Sequence, residues 1–275
     1  MQNTASTACL IVIGNEILSG RTQDKNVAWL AKALNEKGIP LKEVRVVADE
    51  EDAIVAAVNA CRKQYAYVFT TGGIGPTHDD ITSASVAKAF DVPFERHPQA
   101  EKILRDFYKE KINATRLKMA EMPRGAELIP NPVSIAPGFR LDNVYVMAGV
   151  PSIMQAMYAA IHSGLKEGKK TLSKPVSAYV REGDIGEELS AIAKRHPVVD
   201  IGSYPFARNT RLGVTLIARS TDSAALDKAH EALTALLEKH APAVYQEDLA
   251  TVAVSSDKEW GAAVSAASPG GGSSA

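Results

Sequence analysis

The stretch Thr70-Thr71-Gly72-Gly73-Ile74-Gly75-Pro76-Thr77-His78-Asp79-Asp80 decides how this chain is read. It follows an apolar, strand-like segment, Tyr65 to Phe69, and opens a helix expected from Ile81 to Phe90. Gly72, Gly73 and Gly75 let the backbone turn tightly and come close to a ligand. The free amides at the start of the next helix favour negative charge. Two adjacent carboxylates, Asp79 and Asp80, would repel a bare phosphate there. A divalent cation placed between them and the phosphate removes the conflict. The pattern therefore points to a phosphate-bearing ligand bound with a metal ion. The plainer alternative is a strand-to-helix turn in which Asp80 is an N-cap, with Ser83 three residues on.

Upstream of this turn, strands and helices alternate. Ala8 to Ile13 is an apolar run suited to a strand buried on both faces, ended by Gly14. Asp24 can cap a helix with Val27, Leu30, Ala31 and Leu34 on one side, and Gly38 can stop it. Leu41 to Val47 reads as a strand, Glu51 to Lys63 as a helix and Tyr65 to Thr71 as a strand. This order predicts an α/β fold with a doubly wound, mostly parallel sheet and helices on both faces. Ligands of such sheets lie at the carboxyl ends of the strands. Gly14 to Glu16, Asp49 and Gly72 to Asp80 all follow strand ends, so one shared site is expected.

Downstream, helices are expected at Pro98 to Glu110 and at Ala114 to Glu121, the latter ended by Met122-Pro123. Leu128 to Phe139 holds Pro130, Pro132, Pro137 and Gly138 and reads as a rigid, exposed loop. Val144 to Met147 is a strand, turned by Gly149-Val150-Pro151 into a helix from Ser152 to Ile161. A second unit begins near Gly168. Its elements are a strand (Lys174 to Val180), a helix (Ile185 to Arg195), hairpin strands (Val198 to Tyr204 and Arg211 to Arg219, around a turn with Asn209) and a helix (Ala224 to Lys239). This predicts a smaller α+β domain. The expected division is residues 1–167, 168–246 and a tail at 247–275, whose Gly/Ser-rich end is expected to be disordered.

Composition narrows the partners. With 275 residues the chain can bury a sizeable core. Lys and Arg number 31 against 32 Asp and Glu, so no basic bias favours nucleic acid. No apolar run is long enough for a bilayer, and Met1 to Ala8 lacks a charged signal region. A cytoplasmic location and a small-molecule partner are expected. Cys9 and Cys61 read as buried thiols without zinc spacing.

Several ordered motifs match a known family. Ile13-Gly14-Asn15-Glu16-Ile17-Leu18-Ser19-Gly20, followed by Asp24 and Asn26, resembles the opening of CinA-type proteins. The resemblance continues through Thr71 to Asp80, Lys118-Met119-Ala120, Asn131-Pro132, Ala136-Pro137-Gly138-Phe139, Gly149-Val150-Pro151 and Ile201-Gly202-Ser203-Tyr204-Pro205. It spans about residues 8 to 245. It implies the molybdopterin-binding fold shared with MogA, MoaB and gephyrin-type proteins, and it extends to the hydrolase-like half of eukaryotic FAD synthases. Two departures matter. Asn15 stands where the family often has Asp. Asp79 stands where the molybdopterin-pathway branch usually has Arg, and a second carboxylate suits a metal better than direct phosphate contact.

The resemblance implies a metal-dependent pyrophosphatase acting on ADP-ribose-like or FAD-like dinucleotides. The alternatives are a molybdopterin-binding or adenylylating protein, and a non-catalytic nucleotide or pterin module. Glu16, Asp79 and Asp80 would hold a divalent ion (magnesium, manganese or cobalt) or orient water, with Asp49 and Lys118 beside them. Gly14, Thr71, Gly72, Gly73, Gly75, Pro76, Thr77, Asn131, Pro137, Gly138 and Gly149 would shape the ligand pocket. The plainer alternatives are a solvated turn residue for Glu16, a helix cap for Asp49, a surface lysine for Lys118 and a turn residue for His78. The C-terminal deamidase domain of full-length family members is not expected here, because the sequence ends soon after the second small domain, and nicotinamide-nucleotide deamidation is therefore not expected. A homo-oligomer is expected from the habits of the fold's relatives.

Overall fold

A computed structural model describes residues 6–208 and 210–252. The chain divides after Lys170 into two compact units.

The first unit opens with strand β1 (Ala8–Ile13), helix α1 (Asn15–Leu18), helix α2 (Asn26–Glu36), strand β2 (Leu41–Val47), helix α3 (Glu51–Gln64), strand β3 (Tyr67–Thr71) and helix α4 (Thr82–Phe90). It continues through β4 (Phe94–Arg96), α5 (Pro98–Tyr108), α6 (Ala114–Leu117), β5 (Glu121–Pro123), β6 (Glu127–Ile129), β7 (Gly138–Leu141), β8 (Val144–Met147) and α7 (Pro151–Ile161). The main sheet has the order β2-β1-β3-β8-β7-β6. β1 pairs in parallel with β2 and β3, and β3 with β8, whereas β7 runs antiparallel to both β8 and β6. The fold is therefore the expected α/β arrangement with a mostly parallel sheet.

β1 shows why the sheet needs helices on both faces. Cys9, Ile11 and Ile13 pack with Ile54, Ala57, Val58 and Cys61 of α3. The alternate residues Ala8, Leu10 and Val12 pack with Leu30 and Leu34 of α2 and Met154, Met157 and Tyr158 of α7. Side chains alternate across a strand, so one apolar run feeds two cores. Each fully buried Leu or Ile contributes about 1.5–3 kcal/mol. Asp24 caps α2 as expected, accepting a hydrogen bond from the Val27 amide at 2.8 Å.

Some local expectations are corrected. Leu128 to Phe139 is not one exposed loop: its two ends belong to strands β6 and β7 at one margin of the sheet, and Pro137, Gly138 and Phe139 are buried. The prolines lie between the strands, where no ladder amide is needed. The helix expected through Glu121 stops at Leu117, followed by a 3-10 turn at Lys118–Ala120. Met122 and Pro123 then pair with β4 instead of merely ending a helix. Asp80 does not cap α4: Ile81 is the cap residue, and no side chain caps that end.

The second unit holds β9 (Leu172–Ala178), α8 (Glu182–Arg195), β10 (Asp200–Arg208), β11 (Arg211–Ser220), α9 (Ser223–His240), β12 (Val244–Tyr245) and α10 (Leu249–Val252). Its antiparallel sheet has the order β10-β11-β9-β12. Ile185 and Ile192 of α8 and Leu226, Leu233 and Leu237 of α9 cover Val176, Val214 and Leu216. Ordered structure continues past Gln246, because the buried hydroxyls of Ser177 and Thr215 bind residues 247–250. Ser177 donates to the Glu247 carbonyl, and the Leu249 and Ala250 amides donate to Ser177 Oγ and Thr215 Oγ1. The turn residue Asn209 and the Gly/Ser-rich end at 268–275 lie outside the described residues. Among the described residues no helix is long and apolar enough to cross a membrane.

Candidate functional site

The special residues gather at the carboxyl ends of β1, β3 and β8. Gly72, just after β3, has φ 105°, and a Cβ there would stand 2.1 Å from the Ile13 carbonyl oxygen at the end of β1. Only glycine lets these strand ends come together. Gly73 has φ 65°, and a Cβ there would meet Thr82 Oγ1 at 2.2 Å. Thr82 fastens the turn, donating its hydroxyl to the Gly72 carbonyl at 2.9 Å and its amide to the Gly73 carbonyl at 3.0 Å. Gly149, after β8, lies against Gly72: a Cβ there would stand 3.3 Å from the Gly72 Cα, a tight contact.

Asp80 organises the rest of the loop. Its carboxylate accepts from the Gly75 and Thr77 amides, each at 2.7 Å, and from the Thr77 hydroxyl. It turns back into the loop rather than forward onto α4, and so sets the loop's curvature. Asp79 shares the Thr77 hydroxyl with Asp80 through its Oδ1, but stays open to solvent. Its side chain is 65% exposed and lies 3.9 Å from His78 Nδ1, with His78 itself almost fully exposed. The Thr77 hydroxyl, then Asp79's own backbone and His78, hold the Asp79 carboxyl below its usual range.

At the end of β1, the Glu16 carboxylate folds back over Gly14, within 2.6 Å of where a Cβ would stand. Asp49, after β2, accepts from the Asn15 amide at 2.8 Å and so fixes the start of α1. Asn131 builds the opposite rim. It donates to Ser134 Oγ and the Ala136 carbonyl and accepts from the Val133 and Ser134 amides. Gly138 lets β7 pass close to β8, since a Cβ would come within 2.3 Å of the Val146 carbonyl.

These pieces enclose a cavity of about 510 Å³. Glu16, Gly72, Gly73, Gly75, Pro76, Asp80, Asn131 and Gly149 all line it. Apolar wall comes from Ile74, Met119, Ala148, Val150, Ile153 and Met157. A smaller space of about 200 Å³ adjoins it across Ile74, Gly75, Asp80 and Met119, and takes in Thr77, His78, Lys118 and Glu121. The structure therefore splits the expected set. Thr77 and Lys118 belong to the adjoining space, Asp49 stands behind α1, and Asp79 faces solvent. Gly14, Thr71, Pro137 and Gly138 support the walls without lining the cavity. Thr71 is buried and its hydroxyl lacks a partner among the described residues.

Glu16, Asp79 and Asp80 do not bring three ligand atoms within 4.8 Å of one another; among the described residues Cys9, Glu43 and Cys61 do. The three-carboxylate ligand set is thus not assembled: Asp79 and Asp80 meet at the Thr77 hydroxyl, and Asp80 is committed to the loop amides. Glu16 and Asp80 are the carboxylates lining the cavity that could hold an ion; that of Glu16 has no partner among the described residues, whereas that of Asp80 already accepts from Gly75 and Thr77.

Asn26 and Thr22 escape the sequence reasoning as site residues. Thr22 lines the cavity. Asn26 is buried and donates to the Gly149 carbonyl at 2.8 Å, while its Oδ1 has no partner among the described residues. The available signal is an Asn on the first turn of a helix leaving the site, where a buried amide has to have a task.

The family described as "Probable molybdopterin binding domain" matches residues 9–167, and "FAD synthase, middle domain" matches residues 170–246. A protein of Archaeoglobus fulgidus is 34% identical over 196 residues, covering 71% of this chain and 84% of its own length. A crystal structure of CinA from Thermoplasma acidophilum, described as of unknown function, is similar with a TM-score of 0.56 and 32% identity. The match covers 58% of this chain and 98% of that one. A protein of Caenorhabditis briggsae named "Probable FAD synthase" is 29% identical over 85% of this chain, which spans 50% of that protein's length.

Proposed function

We propose that this chain, which belongs to the molybdopterin-binding-domain family and to its CinA-type proteins, binds a phosphorylated pterin of the molybdopterin kind, or a nucleotide of similar shape. The observation that carries this reading is the cavity of about 510 Å³ at the carboxyl ends of β1, β3 and β8. Its apolar wall, with Met119, Ile153 and Met157, suits a flat ring. Its glycine backbone admits phosphate close to the chain. Glu16 and Asp80 would hold a divalent ion, which when bound would neutralise phosphate charge. Asp80 shapes the loop, Lys118 in the adjoining space would face a charged end of the ligand, and Asp49 keeps α1 in place.

A second reading is phosphoanhydride hydrolysis of ADP-ribose-like or FAD-like dinucleotides. It is supported by the Glu16 carboxylate, which borders the cavity without an ion-pair or hydrogen-bond partner among the described residues and can take a proton from water. The match of residues 170–246 to an FAD synthase domain also supports it.

Both readings are tested together. Titration calorimetry with molybdopterin, ADP-ribose and FAD, with and without magnesium, manganese or cobalt, measures binding, and AMP release measures hydrolysis. Binding without AMP release supports the first reading. Metal-dependent AMP release that Glu16→Gln abolishes moves the assignment to the second. No binding of any of these ligands by the folded protein overturns both.

A further inference from the structure

On the α3 side of β1, away from the cavity, lies a group that the site does not use. Cys9 and Cys61 are the chain's full complement of cysteines. Both are free and fully buried, and they come from β1 and α3, 52 residues apart in sequence. The Cys9 thiol donates to Cys61 Sγ at 3.1 Å. Glu43, opposite Cys9 on β2, completes the cluster.

Two thiols and a carboxylate at this spacing match the donor types of a soft-metal site, but the charges oppose a cation. The Glu43 carboxylate already accepts from Tyr65 O–H and Arg45 Nε, each at 2.6 Å. The Arg45 guanidinium adds a fixed positive charge beside the sulfurs. That charge suits a thiolate instead.

We infer that Cys9 and Cys61 form a reversible disulfide when the protein meets a small two-electron oxidant such as hydrogen peroxide. Closing the pair to a bond length of about 2.05 Å needs a sulfur movement of about 1 Å. Cys61 is the attacking sulfur. Donation from Cys9, then Arg45, holds its thiol below the usual range, while the Cys9 thiol is pushed up. The Cys61 thiolate attacks one peroxide oxygen, the O–O bond breaks, and the other oxygen leaves as hydroxide, which takes a proton. Cys61 is now a sulfenic acid. Cys9 sulfur then attacks Cys61 sulfur, and the hydroxyl leaves with the Cys9 proton as water. In sum, two thiols and one peroxide give one disulfide and two waters. Both sulfurs are fully buried, so the reaction needs a local opening of the core between β1 and α3, and peroxide, nearly as small as water, needs the smallest one. The bond would staple β1 to α3 and shorten the free loop of the unfolded chain.

The test uses the full chain and needs no ligand. Reduced protein is treated with hydrogen peroxide, quenched, unfolded and alkylated with N-ethylmaleimide, and its intact mass and melting temperature are measured. The expected result is loss of both alkylation sites, a monomer lighter by two hydrogens, and a raised melting temperature, all reversed by dithiothreitol. In Cys9→Ser, whose hydroxyl keeps a donor to Cys61, peroxide followed by unfolding into dimedone should trap Cys61 as a sulfenic acid, whereas Cys9 of Cys61→Ala should stay unreacted. Two thiols still alkylated after peroxide overturn the inference. So do over-oxidised monomers, chains cross-linked to one another, or a stoichiometric metal in the purified protein.

Discussion

The glycine-rich turn after β3 in the first unit and the glycines of α8 and hydroxyls of β9 and β11 in the second answer opposite demands. In the first, Gly72 and Gly73 hold left-handed backbone where any side chain would strike the chain, and the polar side chains beside them point into a cavity. In the second, Gly183 and Gly186 lie inside α8, where an added methyl would have nothing within 4 Å. Its buried hydroxyls, Ser177 and Thr215, satisfy one another and the backbone of residues 247–250. The contrast separates a region that gives up conformational ease to make room for a ligand from one whose polar groups are consumed in holding a segment down.

The largest effect should come from Gly72→Ala. The added methyl meets the Ile13 carbonyl in a backbone conformation it disfavours, so stability should fall by about 2–4 kcal/mol in urea unfolding. Gly183→Ala should move the other way, gaining about 0.5–1 kcal/mol through helix propensity alone. Equal behaviour of the two variants would erase the contrast.

Asp80→Ala comes next. Removing the acceptor for two loop amides and a hydroxyl should cost about 1–3 kcal/mol and weaken ligand binding at least about tenfold. Asp79→Ala should leave binding unchanged, since that side chain faces solvent. Calorimetric titration of both variants distinguishes a shared from a divided role for the pair.

In the second unit, Ser177→Ala should cost about 1–2 kcal/mol by leaving the Glu247 carbonyl and the Leu249 amide without their partner. Ligand affinity should not change; a tenfold loss would place the second unit in the binding function. The smallest effect concerns Glu188, whose carboxyl is held below its usual range by Lys239, then His240. A depressed folded pKa stabilises above the unfolded pKa and is lost as pH falls through the folded one. Glu188→Gln should therefore lower the melting temperature slightly near neutral pH, and the difference should vanish under acid conditions.

Much of this is legible in the sequence because it depends on near neighbours. The apolar run Ala8 to Ile13, its Gly14 stop, and the alternation through Thr71 identify the parallel sheet and the strand ends. Motif order identifies the family. Strands β6 and β7 are not legible, because each is short and proline-flanked, and the ladder running out from β8 is what makes them strands. Asp80 reads as a cap from sequence for a related reason: its acceptors serve amides behind it as readily as amides ahead, and only the loop's curvature chooses.

The sequence by itself determined the α/β order, the glycine-rich turn after β3, the presence of a smaller second unit and the family. Local sterics and hydrophobic periodicity act within a few residues and survive in the one-dimensional record. Tertiary structure alone decided that Asp80 turns back onto the Gly75 and Thr77 amides while Asp79 stays exposed, that Asn26 reaches Gly149, and that Cys9 meets Cys61. Those outcomes join residues far apart in the chain, or give neighbouring side chains different surroundings, and they follow from packing geometry that no local pattern encodes.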